Sequence, residues 1–140
     1  DLLPGVIENL TGNVLFHGIQ VKPGMPTMLS VVKGTPVLSL SGNPFAVEAL
    51  FEVLAGGYLT DMEASRYLQK NQMKILKQTF VKTGKMKRIV KGRCDESGVY
   101  LPQIQKNGQL KNGIGSNCLV IFPEGERTYA EGEGVRVIRI

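Results

Sequence analysis

The sequence predicts an α/β partial layer followed by a small all-β, barrel-like domain. Two observations carry this. Over residues 1–70, short apolar runs alternate with helical periodicity, whereas from residue 71 onward five short strands are separated by Gly-, Asn- and Asp-containing turns. Charge divides at the same place. Residues 1–70 hold four basic and six acidic residues, and residues 71–140 hold thirteen basic and six acidic. From Lys74 to Arg93 there are eight basic residues and no acid. Such asymmetry suggests two units with different electrostatic tasks. The expected division is 1–73 for the α/β part with a helical connector, and 74–140 for the β domain.

Taken in order, Leu2 to Leu10 suits a helix, although Pro4-Gly5 weakens it. "VLFHGIQV", Val14 to Val21, reads as a strand bounded by Gly12 and Pro23. Pro26 to Lys33 and Thr35 to Leu40 are two further strands, separated at Gly34. At Ser41-Gly42-Asn43-Pro44 the apolar run stops and an amphipathic helix begins. Asn43 is a good N-cap, and Pro44 suits the first helical position, where its missing N–H costs nothing. Val47, Leu50, Phe51, Leu54 and Tyr58 recur at helical spacing and predict its apolar face. Gly56-Gly57 ends or bends that helix, and Thr60-x-x-Glu63 is a capping box for a second short one running to about Lys70. The predicted strands of the β part are "MKILKQTFV", "KRIVKGRC", "GVYLPQIQ", "NCLVIFPEG" and "GVRVIRI", the last with Arg136 and Arg139 outward.

Composition narrows the chemistry. The chain has 140 residues, 42% of them hydrophobic and 21% charged, as in an ordinary soluble domain. No apolar run approaches the ~18 residues of a membrane span. Cys94 and Cys118 lie far apart with no C-x-x-C, which suits free thiols and a cytoplasmic protein. His17 is the only histidine, so zinc binding and histidine-based catalysis have little to work with. The chain begins at Asp1 with no methionine and no secretion signal, and it is expected to be part of a longer protein.

Two turns carry candidate chemistry. The Ser41–Pro44 corner lies between a strand and a helix N-terminus, where free backbone N–H groups and the helix dipole favour an anion. Gly42 would let a ligand approach the backbone closely. The alternative is an ordinary capped turn. Lys22-Pro23-Gly24-Met25-Pro26 is a rigid Pro-Gly turn preceded by a cation, and Lys22 is otherwise a solvated lysine. In an open α/β sheet, ligands sit beyond the carboxyl ends of strands, so the two turns can converge on one site.

The succession "FHGIQVKPGMP", "GTPVLSLSGNPFAVEALF", "QKNG" and "NCLVIFPEG…EGEGVRV" resembles the MoeA family of molybdopterin molybdotransferases, to which the gephyrin E domain belongs. The family pattern is roughly K-P-G-K-P, G-L-P-G-N-P-V, Q-G-S-G, N-x-L-I-V-x-P-E-G and A-G-E-x-V. Order and spacing match over about residues 12 to 138. The resemblance implies the C-terminal half of a molybdopterin-binding α/β domain plus the family's small C-terminal β domain. Departures are Met25 for the second lysine of K-P-G-K-P, Gly18 where many members have a lysine, Ser41 for a proline and Asn107 for a serine. Each removes an expected contact.

What the resemblance implies for the whole protein is insertion of molybdate into adenylylated molybdopterin with release of AMP, assisted by Mg2+, in a homodimer. Asp1 matches the last aspartate of a G-G-x-S-x-G-x-x-D loop, and so stands as a catalytic and metal-binding carboxylate. Lys22 stands as the second catalytic residue. Pro23, Gly24, Ser41, Gly42, Asn43 and Pro44 line the cofactor cleft. Lys91, in place of an arginine of an R-G pair, joins Asn107 and Gly108 on the β domain that faces the partner's cleft. The isolated chain is expected to be inactive. Two other classes compete: a gephyrin-type scaffold that binds a protein partner, and a nucleic-acid-binding β module. The second is motivated by the cations between Lys74 and Arg93 but has only Phe80 there for stacking. Neither a nucleic-acid nor a membrane partner is expected.

Overall fold

The computed structural model describes residues 2–55, 71–102 and 115–140. Two sheets organise them. The first is built from β1 (Asn13–His17), β3 (Met28–Val32) and β4 (Thr35–Ser39), all antiparallel, in the order β1-β3-β4. Helix α1 (Leu3–Asn9) precedes it and buries Ile7. β3 and β4 form a hairpin whose turn residues, Lys33 and Gly34, both have positive φ, at 49° and 80°. That is the backbone twist tight hairpins favour.

The expected Val14–Val21 strand is broken. β1 ends at His17, and Gly18 turns the chain with φ at 90°. The Gly18 N–H donates to the Thr27 carbonyl, and the Ile19 N–H to that of Met25. The next two residues, β2 (Val21–Lys22), leave the first sheet and pair in parallel with the second. A run of β-branched residues does not encode which sheet it joins.

The second sheet has the path β2-β7-β9-β11-β5, with β5 (Asn71–Ile75), β7 (Lys87–Cys94), β9 (Cys118–Phe122) and β11 (Gly134–Arg139). β8 (Val99–Tyr100) pairs with the far end of β7. A two-stranded ribbon of β6 (Phe80–Lys82) and β10 (Arg127–Tyr129) lies beside it. The predicted strands "KRIVKGRC", "NCLVIFPEG" and "GVRVIRI" are β7, β9 and β11. "MKILKQTFV" divides into β5 and β6, and "GVYLPQIQ" pairs only over Val99 and Tyr100 among the described residues. β10 was not expected. The ladders form no closed barrel among the described residues, but a parallel bridge from Leu76, just after β5, to Val99 of β8, which pairs with β7, links the two sides of the sheet as the barrel-like expectation implied.

β9 is buried along its whole length because both faces of the sheet are covered. One face packs Val90, Val120, Phe122, Val135 and Val137 against Leu76, Val99, Leu101 and Tyr129. Phe122 stacks on Phe80, with ring centroids 4.5 Å apart, and meets the Tyr129 edge at 4.8 Å. The other face packs Ile89, Leu119, Ile121 and Ile138 against Ala49 and Leu50 of α2 (Pro44–Leu50), with Ile19, Val21, Leu40, Phe45 and Val53 beside them. A π-helical turn, Phe51–Ala55, continues α2.

The inward face of the helix matches the predicted apolar face only at Leu50. Ala46, Ala49 and Leu50 are buried, whereas Val47, Phe51 and Leu54 are 40%, 46% and 39% exposed. Two alanines let the backbone lie close to the sheet beside Leu50, and Val47, Phe51 and Leu54 are left outside. The Thr60-x-x-Glu63 capping box, Tyr58 and the connecting helix lie outside the described residues.

Candidate functional site

The register of the first sheet brings the two candidate turns to one end. His17 pairs with Met28, and Met28 with Ser39. β1 and β4, on either side of β3, therefore finish at the same end of the sheet, and the segments that follow them, residues 18–27 and 40–43, leave from that end. The sequence placed both turns at strand ends by the rule for open α/β sheets; here an antiparallel sheet sends both out from the same end.

The Lys22–Pro26 turn is tightly held. The Lys22–Pro23 peptide is cis, and Gly24 has φ at 109°. The Thr27 hydroxyl, buried, donates to the Gly24 carbonyl at 2.7 Å, and the Thr27 N–H donates to the same oxygen at 3.2 Å. A Cβ added at Gly24 would lie 2.1 Å from Cδ1 of Leu50. Glycine is thus required twice here, by conformation and by the close approach of the turn to α2. Pro23 is half-buried, and Lys22 and Met25 are exposed.

At the corner, Asn43 has extended backbone, φ −77° and ψ 119°, and its side chain accepts the Ala46 N–H at 3.2 Å. The Asn43 N–H in turn donates to the Ser41 hydroxyl at 3.4 Å. The cap therefore occupies one first-turn donor and Pro44 has none. A side chain at Gly42 would meet nothing within 4 Å, so packing does not require glycine there.

Lys91 sits apart from Lys22, on the helix side of the second sheet. It pairs with Glu48 of α2 at 2.5 Å and lies 5.5 Å from the centre of the Phe45 ring. This pairing across the helix–sheet interface was not legible in the sequence. The structure thus brings Lys91 to the first turns of α2, close behind the corner, through Phe45 and Glu48. Asp1, Asn107 and Gly108 lie outside the described residues. Among the described residues, no group of three or more His, Cys, Asp or Glu side chains gathers to hold a metal ion. No helix among them is long and apolar enough to cross a membrane.

The two cysteines, distant in sequence, are neighbours. Gly92 pairs with Cys118 in the β7–β9 ladder, and Cys94 follows two residues on. Burial, and then the Cys94 thiol beside it, push the Cys118 thiol up to about 12. Asn117 locks this edge, accepting the Cys94 N–H at 2.7 Å and donating to the Cys94 carbonyl at 2.9 Å. Both thiols are free and buried.

No profile of a known protein family matches the chain. Individual proteins do. The chain is 26% identical over 143 residues to a molybdopterin molybdenumtransferase of Staphylococcus aureus, covering 99% of itself and 34% of that protein. It is 26% identical over 149 residues to the Bacillus subtilis protein of the same name, covering 100% of itself and again 34% of the relative. Among solved structures, a molybdopterin biosynthesis moea protein from Pyrococcus horikosii superposes with a TM-score of 0.80 at 29% identity, over 99% of this chain and 34% of that one. The chain thus spans about a third of the length of the relatives it matches, and the resemblance seen in its motifs holds across all of it.

Proposed function

We propose that this chain, similar from end to end to MoeA-type molybdenumtransferases, serves molybdenum cofactor biosynthesis as the C-terminal portion of such a protein. The observation that carries the reading is the whole-chain similarity, at a TM-score of 0.80. Its support within the molecule is the shared sheet end from which the Lys22–Pro26 turn and the Ser41–Pro44 corner depart.

In this reading the whole protein takes adenylylated molybdopterin and molybdate, places the metal on the dithiolene and releases AMP. Molybdate is a substrate. The chain's own residues bind and orient. Lys22 offers a charge-assisted contact to an oxyanion. Pro23 and Gly24 fix the turn that carries it, and Ser41 to Pro44 belong to the cofactor cleft. Lys91, Asn107 and Gly108, on the β domain, face the partner's cleft. The described residues do not by themselves fit a magnesium site, since no ligand cluster forms among them. The metal carboxylate is assigned to Asp1 in company with residues from elsewhere in the protein, and no step is drawn through it here. A homodimer, in which the β domain of one subunit faces the cleft of the other, and a cytoplasmic location complete the reading.

The test is molybdate-dependent release of AMP from adenylylated molybdopterin. A full-length protein carrying this segment should turn over, Lys22→Ala should weaken its kcat/KM, and the isolated 140 residues should be inactive. Absence of AMP release by the full-length protein, under conditions where the Bacillus subtilis relative is active, would overturn the assignment. Turnover by the isolated chain would refute the need for the rest of the site.

A further inference from the structure

The parallel ladder between β2 and β7 sets Val21 opposite Lys87 and Lys22 opposite Arg88. Residues opposed in this way project from the same face of the sheet. Arg88 is also the ladder partner of Phe122, and alternates with Val90, both of which belong to the core on the side away from α2. Val21 packs toward α2 instead. Lys22 therefore points to the opposite side from α2, next to Arg88.

Two cations side by side on neighbouring strands repel one another. Two cations elsewhere among the described residues have acidic partners, Lys91 in Glu48 and Arg127 in Glu133. Among the described residues neither Lys22 nor Arg88 has an ion pair or a side-chain hydrogen bond, and Glu124, two residues beyond Phe122, pairs with neither. Lys22 is exposed and Arg88 half-buried. β2 is held in place by its ladder, by the Lys87 N–H donating to the Gln20 carbonyl, and by the glycine turn wedged against Leu50.

We propose that Lys22 and Arg88 form a two-pronged seat for a tetrahedral oxyanion, with Arg88 as a binding residue supplied by the β domain of the same chain. Arginine's fork takes two oxygens of such an anion, and the lysine ammonium a third. The seat joins the two parts of the chain through a single ligand. The proposal rests on the functional reading only for its natural occupant, which is the phosphate of a nucleotide-linked substrate or molybdate itself. The pairing of the two cations stands without that reading.

The experiment measures binding of inorganic phosphate, molybdate and AMP to the 140-residue chain at low ionic strength by calorimetry, with thermal unfolding followed in parallel. The variants are Lys22→Gln and Arg88→Gln, with Lys33→Gln in the distant β3–β4 turn as a control that removes the same charge. Each site variant should bind the favoured anion about tenfold more weakly, the scale of one charge-assisted contact, and Lys33→Gln should leave binding unchanged. In anion-free buffer, both site variants should melt at or above the wild-type temperature, because repulsion is relieved. Added anion should raise the wild-type melting temperature more than theirs. Preference for molybdate over phosphate and AMP would identify the metal oxyanion as the occupant, and preference for AMP the nucleotide phosphate. Equal binding by Arg88→Gln and wild type, or an equal loss in Lys33→Gln, would overturn the seat. Neither of these results would bear on AMP release by the full-length protein.

Discussion

Gly24 shows how much one residue can carry. Its φ of 109° belongs to the region that side chains other than glycine rarely enter, and its α-carbon faces Leu50, a residue with no exposed surface. Gly24→Ala should destabilise the chain by about 1–3 kcal/mol through overpacking, with backbone strain in addition. Leu50→Ala on its own should cost about 2–5 kcal/mol by leaving a cavity. Because the two groups touch, the double variant should cost less than the sum of the singles in urea unfolding; strict additivity would show that the turn does not lean on the helix. The thiols give a second prediction at this scale. The Cys118 pKa is raised by burial, then by Cys94, to about 12 against an ordinary 9.0. A raised value means that the stabilising contribution of the neutral thiol is complete below pH 9 and is lost as pH climbs toward 12. In the native chain, Cys94 and Cys118 should resist Ellman's reagent at pH 8 and both react after denaturation. Rapid labelling of the folded protein would contradict that burial.

At the scale of an element, the β7–β8 hairpin depends on a carboxylate. Asp95 accepts the Ser97 N–H at 2.8 Å, the Ser97 hydroxyl at 2.6 Å and the Gly98 N–H at 3.3 Å through one oxygen. The Ser97 side chain and N–H hold the Asp95 pKa below its ordinary 3.8, although the group is exposed. A depressed carboxylate stabilises fully above its unfolded value, and this contribution is lost as pH falls through the lower folded value. Hydrogen exchange at Ser97 and Gly98 should therefore accelerate, after correction for the intrinsic rate, only below about pH 4, and Asp95→Ala should remove that pH dependence. A profile unchanged by the substitution would discount the turn as its source. The α2 helix teaches the complementary lesson. Its start was legible in Asn43-Pro44, because a cap is a local hydrogen bond, here to Ala46 at 3.2 Å. Its buried face was not legible, because hydrophobic spacing ranks large side chains above alanine, whereas the sheet beneath admits close approach.

The whole molecule is joined by more than the chain. β2 adds a strand to the sheet of the β part, and the cluster around Leu50 and Ile121 draws side chains from both sides of the expected boundary near residue 73. We propose that this boundary separates two units that share one apolar layer. Residues 71–140 alone should keep a β-type circular dichroism spectrum but expose Ile89, Leu119, Ile121 and Ile138. They should bind 1-anilinonaphthalene-8-sulfonate and self-associate, and the full 140 residues should do neither. A monomeric 71–140 that ignores the dye would show that the layer contributes little. A buried lysine adds to the order of the β part. Lys82, 1% exposed, donates to the Gly84 carbonyl at 2.8 Å and to that of Gly125, clasping the turns that follow β6 and β9.

By itself the sequence determined what is local or periodic. β7, β9 and β11 were evident in β-branched runs, the break between β3 and β4 in its glycine, the capped corner in Asn43-Pro44, and the family resemblance in motifs that keep their order. Lys22 stood out because a Pro-Gly turn follows it at once. Only the tertiary structure decided that β2 leaves the first sheet, that Lys91 meets Glu48, that two distant cysteines adjoin, and that Arg88 stands beside Lys22. These are pairings between residues far apart in the chain. Side-chain alternation says which residues share a face of a strand, but a strand's partner and its register are chosen by the packing of the whole, in which the glycine turn against Leu50 and the alanines of α2 settle where β2 must run.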